Sequence, residues 1–476
     1  MNFARDVVEA ADPARLALVE LARDGSRREH RFADVAGAAR RLAAHLDGLG
    51  VRRGDVVLTL VGNRPEWVAA MVACFRQGYV VLPCTEQLRP KDLALRLAVA
   101  EPRAVVADER NHVVLREAGW SGPTVWGELP DAEPPPPAEL SAEDPCLVTF
   151  TSGTAGEPKA VLHGRRYLDG QALQAEHWLD ARAGDLVWCT AASGWSKSAR
   201  NVFIAPWIRG AAALLPDARF DPHERLDLLA RENVDVLCMA PTEYRVIAKR
   251  AELRPFPALR SLVAAGEALN PEVVRAWEDA TGRQIRDGYG QTETGQTTGN
   301  LAGEEVRPGS MGRPLPGVSL WVQDGELMAD PRTVPTFFLR YLGDDPPDLA
   351  APWHTGDRVA QDDDGYLWFE GRTDDVIISA GYRIGPFEVE SALVSHPAVA
   401  EAAVVAAPDE ERGSVVRAVV VLRDGHDPSD ALARELQDHV EAQTAPYKYP
   451  RLVEFAADLP KTPSGKIRRA HLRGAR

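Results

Sequence analysis

The residues best suited to chemistry lie between Thr149 and Gly164, in the segment TFTSGTAGEPKAVLHG. An apolar run ending in Leu147 and Val148 predicts a strand, which opens into a loop of small, hydroxylic and glycine residues closed by Pro158 and Lys159. Thr151, Ser152, Gly153, Thr154 and Gly156 offer backbone N–H groups and hydroxyls, and Lys159 adds one ammonium. Donors of these kinds suit the phosphates of a nucleotide. No Gly-Lys-Ser/Thr follows at the spacing of the common phosphate loop. By composition alone the segment reads as a nucleotide cradle or as a surface turn.

A second cation stands at the far end of the chain. From Lys461 to Arg476 there are six Lys and Arg residues and no acid, in a protein of net charge −15. The segment is either a solvated basic tail or a strand–turn that delivers one lysine, Lys466 in PKTPSGK, to a polyphosphate. Four further segments lie in order between loop and lysine: AAGEAL (264–269), DGYGQTETG (287–295), WHTGD (353–357) and GRTDDVIISAGYRIGPFEVE (371–390). Taken singly they read as a strand-end turn, a polar loop, a turn and an interdomain linker.

The elements that must position these groups follow from hydrophobic periodicity. DVVLTLVG, YVVLPC, RAVVAD, CLVTFT, DLVWCT, VDVLCMA and LRSLVAAGE predict strands. Amphipathic helices lie between them. One carries Val35, Ala38, Ala39, Leu42, Leu46 and Leu49 and stops at Gly48 and Gly50; another starts after Asn270-Pro271. The alternation predicts an α/β fold with mainly parallel sheets covered by helices, in which ligands sit beyond the carboxyl ends of strands. DAEPPPPAELSAEDP (131–145) predicts an extended surface connector. A boundary is expected near Asp374. It gives a large N-terminal domain over 1–373 and a small α+β C-terminal domain over 374–476, the latter with a helix around Phe387–Val394 and another near 431–443.

Bulk properties narrow the partners. The apolar fraction of 45% and charged fraction of 26% are those of a soluble globular protein. The net negative charge argues against nucleic acid and anionic membranes as partners. Five separated cysteines without a CxxC pair fit a reducing compartment with buried thiols rather than zinc or disulfides. The N-terminus lacks the apolar core of a secretory signal, and no run approaches the ~18 apolar residues of a membrane span. A cytoplasmic location is expected.

In this order and with these spacings, the six segments resemble the adenylate-forming superfamily of acyl-CoA synthetases, carrier-protein adenylation domains and luciferases. GWSKSARNVFIAPWIRGA (194–211), SAGYRIGPFEVE and APYKYPR (445–451) are most similar to its medium-chain and aromatic acyl-CoA synthetases. The resemblance implies that a carboxylate attacks the α-phosphate of ATP, and that a thiol, usually coenzyme A, then displaces AMP. It further implies that Thr151, Ser152, Gly153, Thr154, Gly156 and Lys159 wrap the β- and γ-phosphates. Glu293 would bind Mg²⁺ and Thr292 the α-phosphate. Tyr289 would offer adenine a flat face, with Gly266, Glu267, Asp287 and Gly288 at its edge. Asp357 and Arg372 would hold the ribose, Arg383 would reach phosphate, and Lys466 would bridge the attacking carboxylate and the α-phosphate.

The same resemblance implies a C-terminal domain that rotates about Asp374 between the two half-reactions. Gly381, Arg412 and Tyr449 would bind coenzyme A, while Trp195, Tyr244, Gly266 and Gly290 would line the acyl pocket. Ala155, Ala160 and Ala380 depart from the usual residues of the family without removing a charged group. The acid is a small-molecule carboxylic acid, medium-chain or aromatic, and Gln296, Thr297 and Thr298 hint at an aryl or substituted one. Two alternatives stand beside this reading. In one, a carrier-protein thiol or other nucleophile accepts the acyl group; in the other, a non-catalytic homologue binds nucleotide or acyl-AMP. The oligomeric state stays open.

Overall fold

In the central strands of this chain both faces are buried, and successive side chains divide between them. Val57 belongs to one apolar cluster and its neighbour Leu58 to another; Val81 and Leu82 divide the same way, as do Cys238 and Leu237. The computed structural model that shows this describes residues 1–476 except 152–157, 268, 374, 380–381, 410–411, 462–465 and 475–476, and gives residues 383 and 474 by backbone alone.

Among the described residues there are two seven-stranded sheets. The first runs in the order Ile285–Gly288, Ser261–Ala265, Val236–Met239, Leu186–Cys189, Ala212–Pro216, Leu16–Leu21, Arg27–Arg31, and only its last pair is antiparallel. The second runs Arg340–Tyr341, Ala160–Gly164, Pro145–Phe150, Val80–Cys84, Val56–Leu60, Ala104–Ala107, Thr124–Val125, parallel from Pro145–Phe150 onward. The main core lies between the sheets and takes side chains from both. Helices Phe32–Gly48 and Pro65–Gln77 fill that layer. Every residue from Trp67 to Gln77 is buried, as a helix enclosed on all sides requires. Helices Pro222–Arg231, Pro241–Arg250 and Pro271–Thr281 cover the outer face of the first sheet. Pro90–Ala100 and His112–Glu117 cover that of the second. The result is a five-layer α/β arrangement.

All seven runs expected as strands form strands, and the Asn270 side chain caps its helix by accepting from the Glu272 N–H at 2.8 Å. The proline-rich connector has neither helix nor strand before Pro145. It is pinned where the Pro135 carbonyl accepts from Gln77 Nε2 at 3.0 Å. WHTGD is no turn: it opens the strand Trp353–Gln361 in a four-stranded antiparallel sheet with Leu320–Gln323, Glu326–Ala329 and Leu367–Arg372.

After residue 376 the chain builds a smaller α+β unit. A hairpin of Ile377–Ser379 and Tyr382–Ile384 leads into helix Pro386–Ser395, and Val399–Asp409, Gly413–Leu422 and Leu452–Phe455 form a sheet backed by helix Asp430–Gln443. Its apolar cluster, which includes Ile377, Val389, Leu393, Val404, Val420 and Leu436, draws only on these residues. Among the described residues no helix is long and apolar enough to cross a membrane.

Candidate active site

The parallel strands of both sheets end at one cavity of about 1950 Å³, whose wall includes Gly62, Thr85, Thr151, Thr190, Ala240 and Gly266. Each of these follows the carboxyl end of a strand, where parallel sheets place their ligands.

The loop from Thr190 to Ser198 spans the gap between the two sheets. Ser193 N–H donates to Asn63 Oδ1 at 2.7 Å, its hydroxyl donates to the Val61 carbonyl at 2.5 Å, and Asn63 Nδ2 donates back to the Ala191 carbonyl at 3.1 Å. Gly194 makes this approach possible. Its φ is 93°, and a Cβ there would stand 2.3 Å from Thr85 N and 2.6 Å from Cys84 C. The loop thereby brings Trp195 and Lys197, both half-buried, to the cavity wall. Lys197 Nζ donates to the Ala265 carbonyl at 3.1 Å, beside Gly266.

A second cluster comes from the hairpin after Gly288. Gly290 pairs with Gln296 so closely that a Cβ would lie 1.8 Å from the Gly295 carbonyl oxygen. Gln291 N–H donates to Thr294 Oγ1 at 3.0 Å, and this tight turn sets Thr292 and Glu293 on the wall. Tyr341 donates its hydroxyl to Glu293 Oε1 at 2.9 Å. Glu293 Oε2 has no partner among the described residues, so one carboxylate oxygen is left for a cation. Lys159 lies 4.7 Å above the Tyr341 ring, and its N–H donates to Thr151 Oγ1 at 2.9 Å.

Asp357 anchors the floor. Its Oδ2 accepts from the Tyr289 hydroxyl and from Gln291 Nε2 (2.8 Å), and its Oδ1 from Arg372 Nη1 (3.1 Å). Burial pushes the carboxyl above its ordinary pKa, while Arg372 and the donated hydrogen bonds pull it back. The Tyr289 hydroxyl is spent on Asp357 and fixes the tilt of a ring that faces the cavity. Glu267 is held by Thr242 Oγ1, which donates to its Oε2 at 2.6 Å.

The terminal segment reaches this place. Lys461 forms an isolated antiparallel bridge with Ile467 and pairs through Nζ with Glu401 at 2.8 Å, and Arg469 pairs with Glu390 at 2.8 Å. Lys466 is thereby carried into the cavity wall. Burial lowers its pKa, the carboxylates of Glu267 and Asp357 raise it, and the cations Lys197 and Arg372 lower it. This is no solvated tail.

The structure thus gathers Thr151, Lys159, Trp195, Gly266, Glu267, Gly288, Tyr289, Gly290, Thr292, Glu293, Asp357, Arg372 and Lys466 at one cavity. Among the described residues, four expected ones do not reach it: Tyr244, Asp287, Arg412 and Tyr449. Tyr244, expected at the acyl pocket, is fully buried in the core: its hydroxyl donates to the Leu237 and Val263 carbonyls and its ring meets Trp277 edge-on at 5.1 Å. The cause is helical phase, since Tyr244 and Ile247 take the sheet-facing stripe of Pro241–Arg250 while Thr242 and Arg245 face the cavity. Asp287, expected at the adenine edge, is buried at the strand end, where it accepts the Gly288 N–H at 2.9 Å and burial drives its pKa well up.

Arg412 and Tyr449 lie in the smaller unit away from the cavity wall. The Arg412 N–H donates to Asp409 Oδ1 at 2.8 Å, and the Arg451 guanidinium sits 5.1 Å over the Tyr449 ring. Ser152, Gly153, Thr154, Gly156, Asp374, Gly381 and the side chain of Arg383 fall outside the described residues. Tyr341, Gln291 and Arg200 join the wall without having been singled out; Gln291 lies inside YGQTE and Arg200 inside GWSKSARNVF, while Tyr341 had no motif to mark it.

Residues 6–335 match the family model described as AMP-binding enzyme, and residues 388–466 match that of the AMP-binding enzyme C-terminal domain. The chain is 41% identical over 467 residues to the uncharacterized acyl-CoA ligase YtcI of Bacillus subtilis (strain 168), covering 91% of this chain and 88% of that one. It is 38% identical over 525 residues to the mitochondrial acyl-coenzyme A synthetase ACSM4 of Homo sapiens, with coverages of 99% and 90%. Among solved structures, the anthranilate CoA ligase AuaEII in complex with anthranoyl-AMP overlays with a TM-score of 0.88 at 29% identity, covering 99% of this chain and 96% of that one. A benzoate CoA ligase from Burkholderia xenovorans LB400 gives 0.87 at 27% identity, with coverages of 99% and 100%.

Proposed function

The chain belongs to the AMP-binding enzyme family and is an AMP-forming acid–CoA ligase, and from this premise we propose how its residues divide the work and which acids it takes. The acid is a medium-chain or aromatic carboxylic acid, a reading supported by the acyl-CoA synthetase and benzoate and anthranilate ligase relatives.

In the first step a carboxylate oxygen of the acid bonds to the α-phosphorus of ATP, and pyrophosphate leaves with the electrons of the broken P–O bond. Two anions must approach each other, so positioning and fixed positive charge carry the catalysis. Lys466 lies between the groups and cancels their repulsion, assisted by Thr292 at the α-phosphate. Lys159 and the glycine-rich loop hold the outer phosphates. Asp357 accepts from the ribose hydroxyls, Arg372 reinforces that contact, and the Tyr289 ring stacks on adenine. Glu293, with one carboxylate oxygen available, would hold a Mg²⁺ ion, which when bound neutralises phosphate charge.

In the second step the thiol sulfur of coenzyme A bonds to the acyl carbon, the thiol proton is lost, and AMP departs. Arg412 and Tyr449 stand away from the cavity in this arrangement, which suits the first step. Rotation of residues 374–476 about Asp374 would exchange Lys466 for the coenzyme A surface.

The observation that carries this reading is the arrival of Lys466, 307 residues beyond Lys159, at the same cavity as Lys159, Glu293 and Asp357. Its test is pyrophosphate release from ATP with fatty, benzoic, hydroxybenzoic and cinnamic acids, with and without coenzyme A. Acid-dependent release, with acyl-CoA formed only when the thiol is added, is expected. Absence of release with every acid would overturn it.

A further inference from the structure

Five arginines are buried among the described residues: Arg76, Arg165, Arg200, Arg225 and Arg286. Four of them have partners. Arg76 bonds Glu9 at 2.9 Å, Arg165 pairs with Asp169, Arg225 lies 3.4 Å from Glu243, and Arg286 donates to Ser261 Oγ at 2.7 Å. Arg200 differs. It is 4% exposed, forms no ion pair among the described residues, and its Nε and Nη1 have no hydrogen-bond partner there. Its polar neighbour is neutral: the Tyr167 hydroxyl lies within hydrogen-bonding reach of Arg200 and also donates to the Ser196 carbonyl at 3.5 Å, and the Tyr167 ring is 4.2 Å from that of His163, so Arg200 has a polar contact but no counter-ion among the described residues.

A guanidinium taken out of water without a counter-ion is costly, and interior charges are normally paired. Arg200 also lines the catalytic cavity. It follows Lys197 by three residues, across the turn that leads into the helical segment Arg200–Ile204, and both side chains line the cavity. Lys197 and Lys466 feel each other's charge near Gly266, where the acid's carboxylate reacts. Arg200 and Lys197 thus belong to the same cavity lining as Gly266 and Lys466.

We propose that Arg200 receives a second carboxylate at the far end of the substrate, so that the preferred acids are dicarboxylic, with the two groups separated by a few carbon atoms or one benzene ring. A planar guanidinium suits a carboxylate because two parallel N–H donors meet two oxygens. A charge without a counter-ion on the cavity wall also disfavours a purely apolar tail, which would leave Arg200 buried without one when the ligand is in place. The inference rests on the ligase reading above and names the acid for the same site.

The test uses matched acids on the full-length enzyme: hexanedioate against hexanoate, and isophthalate against benzoate, by acid-dependent pyrophosphate exchange. Charge-assisted hydrogen bonds predict a kcat/KM ratio of roughly 10- to 100-fold in favour of each diacid. Arg200→Met should collapse or invert that ratio, and Arg200→Lys should retain part of it. Hexanedioate alone should raise the melting temperature of the wild-type enzyme but not that of Arg200→Met. A wild-type enzyme that prefers the monoacids, or a diacid preference that survives Arg200→Met, overturns the proposal. The wild-type ratio decides even where the variant fails to fold. Loss of exchange with all four acids would instead count against the ligase reading itself.

Discussion

Replacing Lys466 with methionine tests the arrangement at its most exposed point. The ammonium stands half-buried among Glu267, Asp357, Lys197 and Arg372, and in the proposed mechanism its task is to hold two anions together. One unit charge acting at about 4 Å through an effective dielectric of about 20 contributes about 4 kcal/mol. Removal of a single preorganised donor from comparable sites costs about 10²- to 10³-fold, which agrees. Acyl-adenylate formation, measured as pyrophosphate exchange, should fall by that factor in Lys466→Met. Conversion of pre-formed acyl-AMP and coenzyme A to thioester should change little.

The pH profile sharpens the argument. Burial lowers the Lys466 pKa, so with free enzyme the catalytic cation is lost as pH rises through a value below the ordinary 10.5. ATP and a carboxylate bring negative charge that raises it again. The alkaline limb of kcat/KM, which reports free enzyme, should therefore break at lower pH than that of kcat. Lys466→Arg keeps its charge through this range and should lose the break. Equal loss in both half-reactions, or an identical alkaline limb in wild type and Lys466→Arg, would refute the reasoning.

Three further outcomes follow from particular residues. Asp374→Pro should spare pyrophosphate exchange and cripple thioester formation in stopped single-turnover assays, because in the proposed mechanism only the second step needs residues 374–476 to turn. Tyr244→Phe should cost about 1–3 kcal/mol in denaturant unfolding, since two buried carbonyls lose their donor, while acid specificity in the exchange assay stays as in wild type. Gly194→Ala places a methyl against the backbone of Cys84 and Thr85 at a φ of 93°; it should destabilise by about 2 kcal/mol or more and raise KM for the acid, as Trp195 and Lys197 are displaced.

What the amino-acid order revealed and what it hid have the same physical cause. Runs such as VVLTL and VVLPC are buried on both faces and announce themselves by continuous β-branched and aliphatic residues. The edge strand Arg27–Arg31, RREHR, is exposed except at the half-buried His30 and carries no apolar signal, so only its pairing with Leu16–Leu21 reveals it. The local character of WHTGD suggests a turn, yet its backbone is strand because Glu326–Ala329 and Leu367–Arg372 supply partners from elsewhere in the chain. Residues within a motif were legible because contiguous loops carry them: Thr292, Glu293 and Asp357 arrive with their own neighbours.

Residues that act across the fold were not legible in this way. Tyr341 finds Glu293 over 48 positions, and Tyr289 finds Asp357 over 68. Tyr244 shows the converse error, in which a residue beside pocket positions in sequence turns inward because a helix sends adjacent residues to different faces. Arg200 is the sharpest case. Inside GWSKSARNVF it reads as one more polar residue at the start of a helix, and a solvated arginine there would mean nothing. Its meaning arises only when two sheets close over it and none of the described carboxylates pairs with it. A folded chain that keeps a charge so placed spends stability on it, and the compensating partner belongs to the molecule that enters the cavity.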